Sequence, residues 1–163
     1  MALAESPSQD VETRPDYLEL LQRVERLHRQ LLDVVKDELD RESLRDLTSV
    51  QALLIYNIGD QVLTAGELKS RGHYLGSNVS YNLKKLVDLG FVNQKRSSAD
   101  RRTVRISLTQ EGLDVCERLT ALFARQSVAL EPSGGLNTET VEATNVALDR
   151  LERFWTDHIR FRL

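Results

Sequence analysis

The chain has 163 residues, 40% of them hydrophobic and 29% charged, with a mean hydropathy of −0.37, which suits one domain with a helical extension and is too short for two full domains. No run reaches the roughly 18 apolar residues of a membrane span, and the opening MALAESPSQDVETRP lacks the basic start and apolar stretch of a secretory signal, so a cytoplasmic protein is expected. The net charge of −3 hides a sorting: residues 69–105 carry nine Lys/Arg against two acids, a net +7, while the rest of the chain sums to −10. An acidic body with one basic segment offers a single face to a polyanion and repels it elsewhere.

Prolines occur at 7, 15 and 132 alone, which leaves Asp16 to Glu131 free of the strongest helix breaker and favours a mainly helical protein. Residues 1–15 are polar and aperiodic and read as a disordered or loosely attached arm. From Tyr17 to Leu39 apolar residues recur at helical spacing, and the stripe, broadened by Leu18, Leu32 and Leu39, is wider than one contact face requires; part of it is expected to meet another subunit. His28 falls on this stripe, where a packed, hydrogen-bonded histidine is the first expectation and a ligand contact the second.

Thr48 or Ser49 can cap a second helix that ends near Asn57 to Gly59. Thr64 and Glu67 have the spacing of a capping box for a short third helix that Gly72 is placed to stop. Ser77 to Leu89 form a fourth, with Val79, Leu83, Leu86 and Val87 inward and Gly90 as the left-handed residue that ends it. Phe91–Lys95 and Thr103–Leu108 alternate in polarity and are predicted to pair as a hairpin around the basic loop Arg96–Arg102. A helix from about Glu111 to Leu130 is predicted to break at Pro132-Ser133-Gly134-Gly135. A last helix, capped at Asn137 and stapled by Leu136 and Val141, runs to about Ile159.

Short helices followed by a hairpin describe a winged helix-turn-helix, whose second motif helix enters the major groove of duplex DNA. The fold class expected is mainly α with a small β-hairpin wing, joined to a region of long helices. The stretches TAGELKSRGHYLGSNVSYNLKKLVDLGFV and RSSADRRTVRISLTQEG resemble the DNA-binding core of the MarR family of bacterial regulators, over roughly Leu47 to Gly112. The most specific element is the wing pattern met by Asp100, Arg102, Ile106, Leu108 and Thr109. GHYLGSNVSYNLKKL is also similar to a proteobacterial subgroup containing the regulator of L,D-transpeptidases. The resemblance implies dimerisation helices in 16–46 and 111–163 around a DNA-binding region at 47–110. Where the family often has an acidic N-cap before the recognition helix this chain has Leu75, so capping is expected to pass to Ser77.

In the first two turns of that helix Ser77, Asn78, Ser80, Tyr81 and Lys84 can reach base edges: Asn pairs with adenine, hydroxyls are tolerant, and a ring can meet a thymine methyl. Tyr81 has core packing as its alternative. Lys85 is placed for phosphate, and Arg96 is counted with the DNA-contacting bases. Arg101 and Arg102 suit a narrow minor groove, and the resemblance assigns Asp100 to holding Arg102. The resemblance further implies a homodimer on an inverted repeat and a repressor released by a small-molecule effector, for which His28 and Tyr56 are candidate pocket residues. The alternatives are a redox-responsive regulator using Cys116, whose helical surroundings point to a buried, inert thiol, and a winged-helix protein-interaction module, which would not need so many bases on one surface. No HxxxH, GxSxG or GxxxxGKS/T motif occurs, and a lone cysteine provides no zinc pair, so no cofactor or metal is implied and an enzyme is the remotest reading.

Overall fold

A computed structural model describes residues 14–72, 76–96 and 103–161; the side chains of 72, 76 and 77 are not among those described. Helix α1 (Pro15–Arg41) starts with its proline in the first turn, where the missing N–H costs nothing. Its C-terminal third packs inward through Val35, Glu38 and Leu39. Leu18, Leu20, Leu27 and Leu31, further toward its N-terminus, stay exposed. His28 shares that exposure. The expected packed histidine is therefore not found, because in the protomer His28 lines an open cleft rather than a packed contact. The expected arm at 1–15 lies outside the described residues except for Arg14 and Pro15, which belong to the start of the helix.

The chain leaves α1 through Ser43, held at a φ of 60°. The Leu44 N–H donates to the Leu39 carbonyl at 2.9 Å across this turn. Helix α2 (Ser49–Ile58) begins with a full capping box: the Thr48 hydroxyl accepts from the Gln51 N–H at 3.2 Å and the Gln51 side chain accepts from the Thr48 N–H at 3.1 Å. The Ser49 hydroxyl donates to the Leu32 carbonyl at 2.7 Å, tying α2 to α1. Ala52, Leu54, Ile55 and Ile58 make α2 the centre of the core, packed on α1 and on the elements that follow.

Leu63–Thr64 form a short strand, β1, before α3 (Ala65–Gly72). The expected Thr64–Glu67 box is present, with Thr64 N–H to Glu67 at 2.7 Å and Glu67 N–H to the Thr64 hydroxyl at 3.2 Å. Helix α4 (Gly76–Asp88) starts one residue before Ser77, which lies inside its first turn rather than at its cap. It ends as expected on Gly90 at a φ of 83°, with Phe91 N–H donating to the Leu86 carbonyl at 2.9 Å. Strands β2 (Val92–Arg96) and β3 (Val104–Leu108) pair antiparallel, Val92 opposite Leu108 and Arg96 opposite Val104. Arg96 thus belongs to the strand, not to the loop. The sheet has three strands in the order β1–β3–β2, one more than the predicted hairpin, because Leu63 and Thr64 pair with Ile106 and Arg105.

Helix α5 (Gln110–Gly134) opens on Thr109, whose hydroxyl accepts from the Gly112 N–H at 3.1 Å and donates to the Gly90 carbonyl at 2.7 Å. This one side chain ties the wing, the end of α4 and the start of α5 together. Val115, Leu119 and Leu122 face the core. The predicted break at Pro132 does not occur: the helix runs to Gly134 and stops at left-handed Gly135. Within a last turn proline removes a single N–H, and the turn is closed beyond it by the Gly135 N–H on the Glu131 carbonyl at 3.0 Å. Helix α6 (Thr138–Phe161) is capped by Asn137, which accepts from the Thr140 N–H at 2.9 Å. It buries no residue in the protomer. The Trp155 indole N–H donates to the Tyr17 hydroxyl at 3.1 Å, which connects it to α1. Among the described residues, no helix is long and apolar enough to cross a membrane.

Candidate nucleic-acid interface

Helix α4 has two faces. Val79, Leu83 and Leu86 are buried at 3% or less, at the i, i+4, i+7 spacing that fixes the helix to the body. The opposite side exposes Asn78, Ser80, Tyr81, Lys84 and Lys85. Tyr81 is 61% exposed, so its ring is not a core ring. The Asn82 amide donates to the Asn78 carbonyl at 2.9 Å, leaving the Asn78 side chain outside that bond. Ser77 lies in the first turn of the same helix. Asn78, Ser80, Tyr81, Lys84 and Lys85 thus share the unburied side of α4, while the Ser77 side chain and Asp100, Arg101 and Arg102 lie outside what is described.

The sheet adds bases that sequence reasoning counted in the charge total without assigning to the site. Val92, Ile106 and Leu108 turn inward, which sends Lys95 and its cross-strand neighbour Arg105 to the outward face. Both are exposed, as is Arg96 at the end of β2. Like charges directly opposite each other across a ladder oppose folding, and a polyanion would neutralise them. Register, which the sequence does not print, is the signal that finds this pair. Nearby, the Arg71 guanidinium donates to Gln61 at 2.6 Å. The Thr64 backbone N–H and hydroxyl hold the Glu67 carboxyl below its ordinary range, with Arg71 and Arg105 adding to the effect. Glu67 is committed to the box that fixes α3, the helix preceding α4.

His28 and Tyr56, paired in expectation as pocket residues, lie in separate clefts. His28 lines one of about 630 Å³ between α1 and α6 with Val24, Leu151 and Trp155. Tyr56 lines another of about 590 Å³ between α2 and α5 with Leu113 and Cys116, and its ring meets Phe123 edge-on at 5.1 Å. Cys116 is half-buried, and desolvation raises its thiol above the ordinary range. Among the described residues, no group of three or more His, Cys, Asp or Glu is placed to hold a metal ion.

Residues 47–112 match the family described as a winged helix DNA-binding domain. The exopolysaccharide II synthesis transcriptional activator ExpG of Rhizobium meliloti (strain 1021) is 34% identical over 145 residues, covering 89% of this chain and 74% of that protein. Among solved structures, the transcriptional regulator SlyA superposes with a TM-score of 0.75 at 18% identity, over 88% of this chain and 99% of that one. A mutant of MarR from E. coli in complex with operator DNA superposes with a TM-score of 0.68 at 22% identity, over 83% and 95%. At such identities the two structures speak for the fold, a mainly helical body with a small antiparallel sheet, and the activator speaks for kinship. The chain belongs to the MarR family of winged helix-turn-helix transcriptional regulators.

Proposed function

We propose that the protein binds an inverted repeat in duplex DNA as a homodimer, inserting α4 in the major groove of each half-site and the β2–β3 wing beside it. The observation that carries this reading is the exposed row Asn78, Ser80, Tyr81, Lys84 and Lys85, backed by a fully buried row on the same helix. Asn78, Tyr81 and Lys84 are assigned to base edges, Ser77 and Ser80 to adaptable hydroxyl contacts there, and Lys85 to phosphate. Arg96, Arg101 and Arg102 are assigned to the wing's minor-groove contact, with Asp100 as the support of Arg102. Residues 47–110 act as the DNA-binding region, and 16–46 with 111–163 as the dimerisation region. Support for the dimer comes from apolar side chains that the protomer leaves open on two long helices: Leu18, Leu27 and Leu31 on α1, and Phe154, Ile159 and Phe161 on α6. A two-fold dimer of such modules reads half-sites about 10 bp apart.

A small-molecule effector that prefers the DNA-incompetent dimer by about 1–3 kcal/mol would weaken DNA binding roughly 5- to 150-fold. Release of this kind would make the protein a repressor. The related ExpG is an activator, so activation is the second reading of the output, and a promoter fusion with and without the protein distinguishes the two. The binding role is tested by titrating variants on an operator duplex and on an unrelated one. Asn78→Ala and Lys84→Ala are expected to cost about 1–3 kcal/mol mainly on the operator, and Arg102→Ala to weaken both duplexes and flatten the salt slope. Equal losses from all three on both duplexes would refute this division of roles.

A further inference from the structure

The bases of the winged region are held differently from those of the rest of the chain. Among the described residues, eight Lys or Arg side chains form a salt bridge with a carboxylate, and all eight lie outside residues 47–112. The bases of α3, β2 and β3 form none. Three of them share one patch. Leu63 and Ile106, opposite each other in the ladder, are buried, so Thr64, Arg105 and Lys95, which are partners across β1–β3–β2, stand on the outer face. Adjacent strands are about 4.8 Å apart, so this row runs about 10 Å across the sheet. Arg71, at the end of α3, joins it on the β1 side: Arg71 and Arg105 both act on the Glu67 carboxyl, and the Arg71 guanidinium is anchored by its 2.6 Å bond to the Gln61 side chain, two residues before β1. Glu67 itself is taken up by Thr64, whose N–H and hydroxyl both donate to it. Neither β2 nor β3 carries an acid. Arg105 and Lys95 face each other as like charges, an arrangement that opposes pairing and gives the fold nothing.

We propose that Arg71, Arg105 and Lys95 form a phosphate-binding row, separate from α4 and from the wing loop, that grips the backbone of duplex DNA without reading its sequence. Each DNA strand presents a charge about every 3.4 Å of helix axis, so a row about 10 Å long spans two or three phosphates. Exposed side chains without acidic partners exchange condensed counterions for phosphate at little cost, whereas the paired bases of α1, α5 and α6 would first have to give up a carboxylate. An acidic protein would meet the same charges; DNA is favoured because the row lies inside the segment that matches a DNA-binding domain, on the strands that carry the wing. The inference rests on the DNA-binding reading and deepens it: α4 supplies discrimination between sequences, and this row supplies affinity for all of them.

Fluorescence anisotropy of the full-length protein with one random-sequence duplex, over a series of salt concentrations, tests the row, since a phosphate contact needs no operator. Lys95→Gln with Arg105→Gln is expected to lower the slope of log affinity against log salt by about 1.8 per bound protomer, and Arg71→Gln to lower it by about 0.9 more. Arg29→Gln with Lys36→Gln, which makes the same change in net charge on α1, is expected to leave the slope unchanged. The urea midpoint of the Lys95 and Arg105 double variant is expected at or above that of the wild type, because a like-charged pair has been removed. A slope that the substitutions at 71, 95 and 105 leave unaltered, an equal fall in the α1 control, or a lowered urea midpoint, which would make the pair structural, would each overturn the row while salt-dependent wild-type binding left the DNA-binding reading standing. Wild-type protein that binds no duplex even at low salt would overturn both.

Discussion

Gly112 lies where the first turn of α5 crosses the residue that leads into β2, and a side chain there has no room. A Cβ on this residue would stand 2.2 Å from the Phe91 carbonyl oxygen, with the Leu108 Cβ at 3.2 Å closing the other side. The clash is with backbone, so no rotamer relieves it, and the two segments must separate by about 0.8 Å to reach the shortest tolerable contact. That Phe91 oxygen accepts the Thr109 N–H at 3.1 Å, and the Gly112 N–H donates to the Thr109 hydroxyl that caps α5. Separation therefore strains a hydrogen bond worth about 1 kcal/mol, a cap worth about 1 kcal/mol and packing worth about 1–3 kcal/mol, against a gain of about 1 kcal/mol from alanine's helix propensity. Gly112→Ala is expected to destabilise by about 2–4 kcal/mol, a large share of a typical 5–15 kcal/mol. Urea denaturation of wild type and variant at one protein concentration measures it, the concentration being fixed because a dimer's stability depends on it. A variant within about 0.5 kcal/mol of wild type would refute the claim that this crossing is tight.

Thr48→Ala removes the hydroxyl half of the α2 capping box and is expected to cost about 1 kcal/mol in the same assay, whereas Thr48→Ser should retain most of it. Ser43→Gly relieves a left-handed backbone that a side chain opposes, and the gain, after the extra freedom of glycine in the unfolded chain, is expected to be about 0.5–1 kcal/mol; a loss would contradict the turn described here. Because burial lifts the Cys116 thiol, little thiolate exists near neutral pH, and iodoacetamide should alkylate the native protein several-fold more slowly than the urea-unfolded chain. Equal rates would instead favour the redox-sensing alternative.

Much of the fold is legible in the sequence because local chemistry and packing agree. Val79, Leu83 and Leu86 share one helical face, Thr64 and Glu67 stand three residues apart, and Gly90 ends α4 where only a left-handed residue closes the turn. The misses have physical causes. Two residues, Leu63 and Thr64, are too few to show strand alternation, and Thr64's role as a cap conceals its pairing with Arg105. Pro132 reads as a breaker, yet in the last turn of α5 it removes one hydrogen bond and little else. His28 lies on a stripe whose period signals burial, but in the protomer α6 leaves an open cleft over that part of α1. For the candidate interface, the row on α4 follows from helical spacing, whereas the outward pair Lys95 and Arg105 depends on strand register, and the separation of His28 from Tyr56 depends on how α6 lies along α1.

The central claim is that α4 and the wing bind DNA in a sequence-dependent way. Fluorescence anisotropy with the duplex upstream of the protein's own gene, at two salt concentrations and with an unrelated duplex as competitor, tests it most directly. The account predicts tight binding that weakens steeply with salt, as several Lys and Arg contacts to phosphate require, and that survives the competitor. Wild-type protein that binds both duplexes alike at every salt concentration, on this duplex and on operators sought by selection from random sequence, would contradict it.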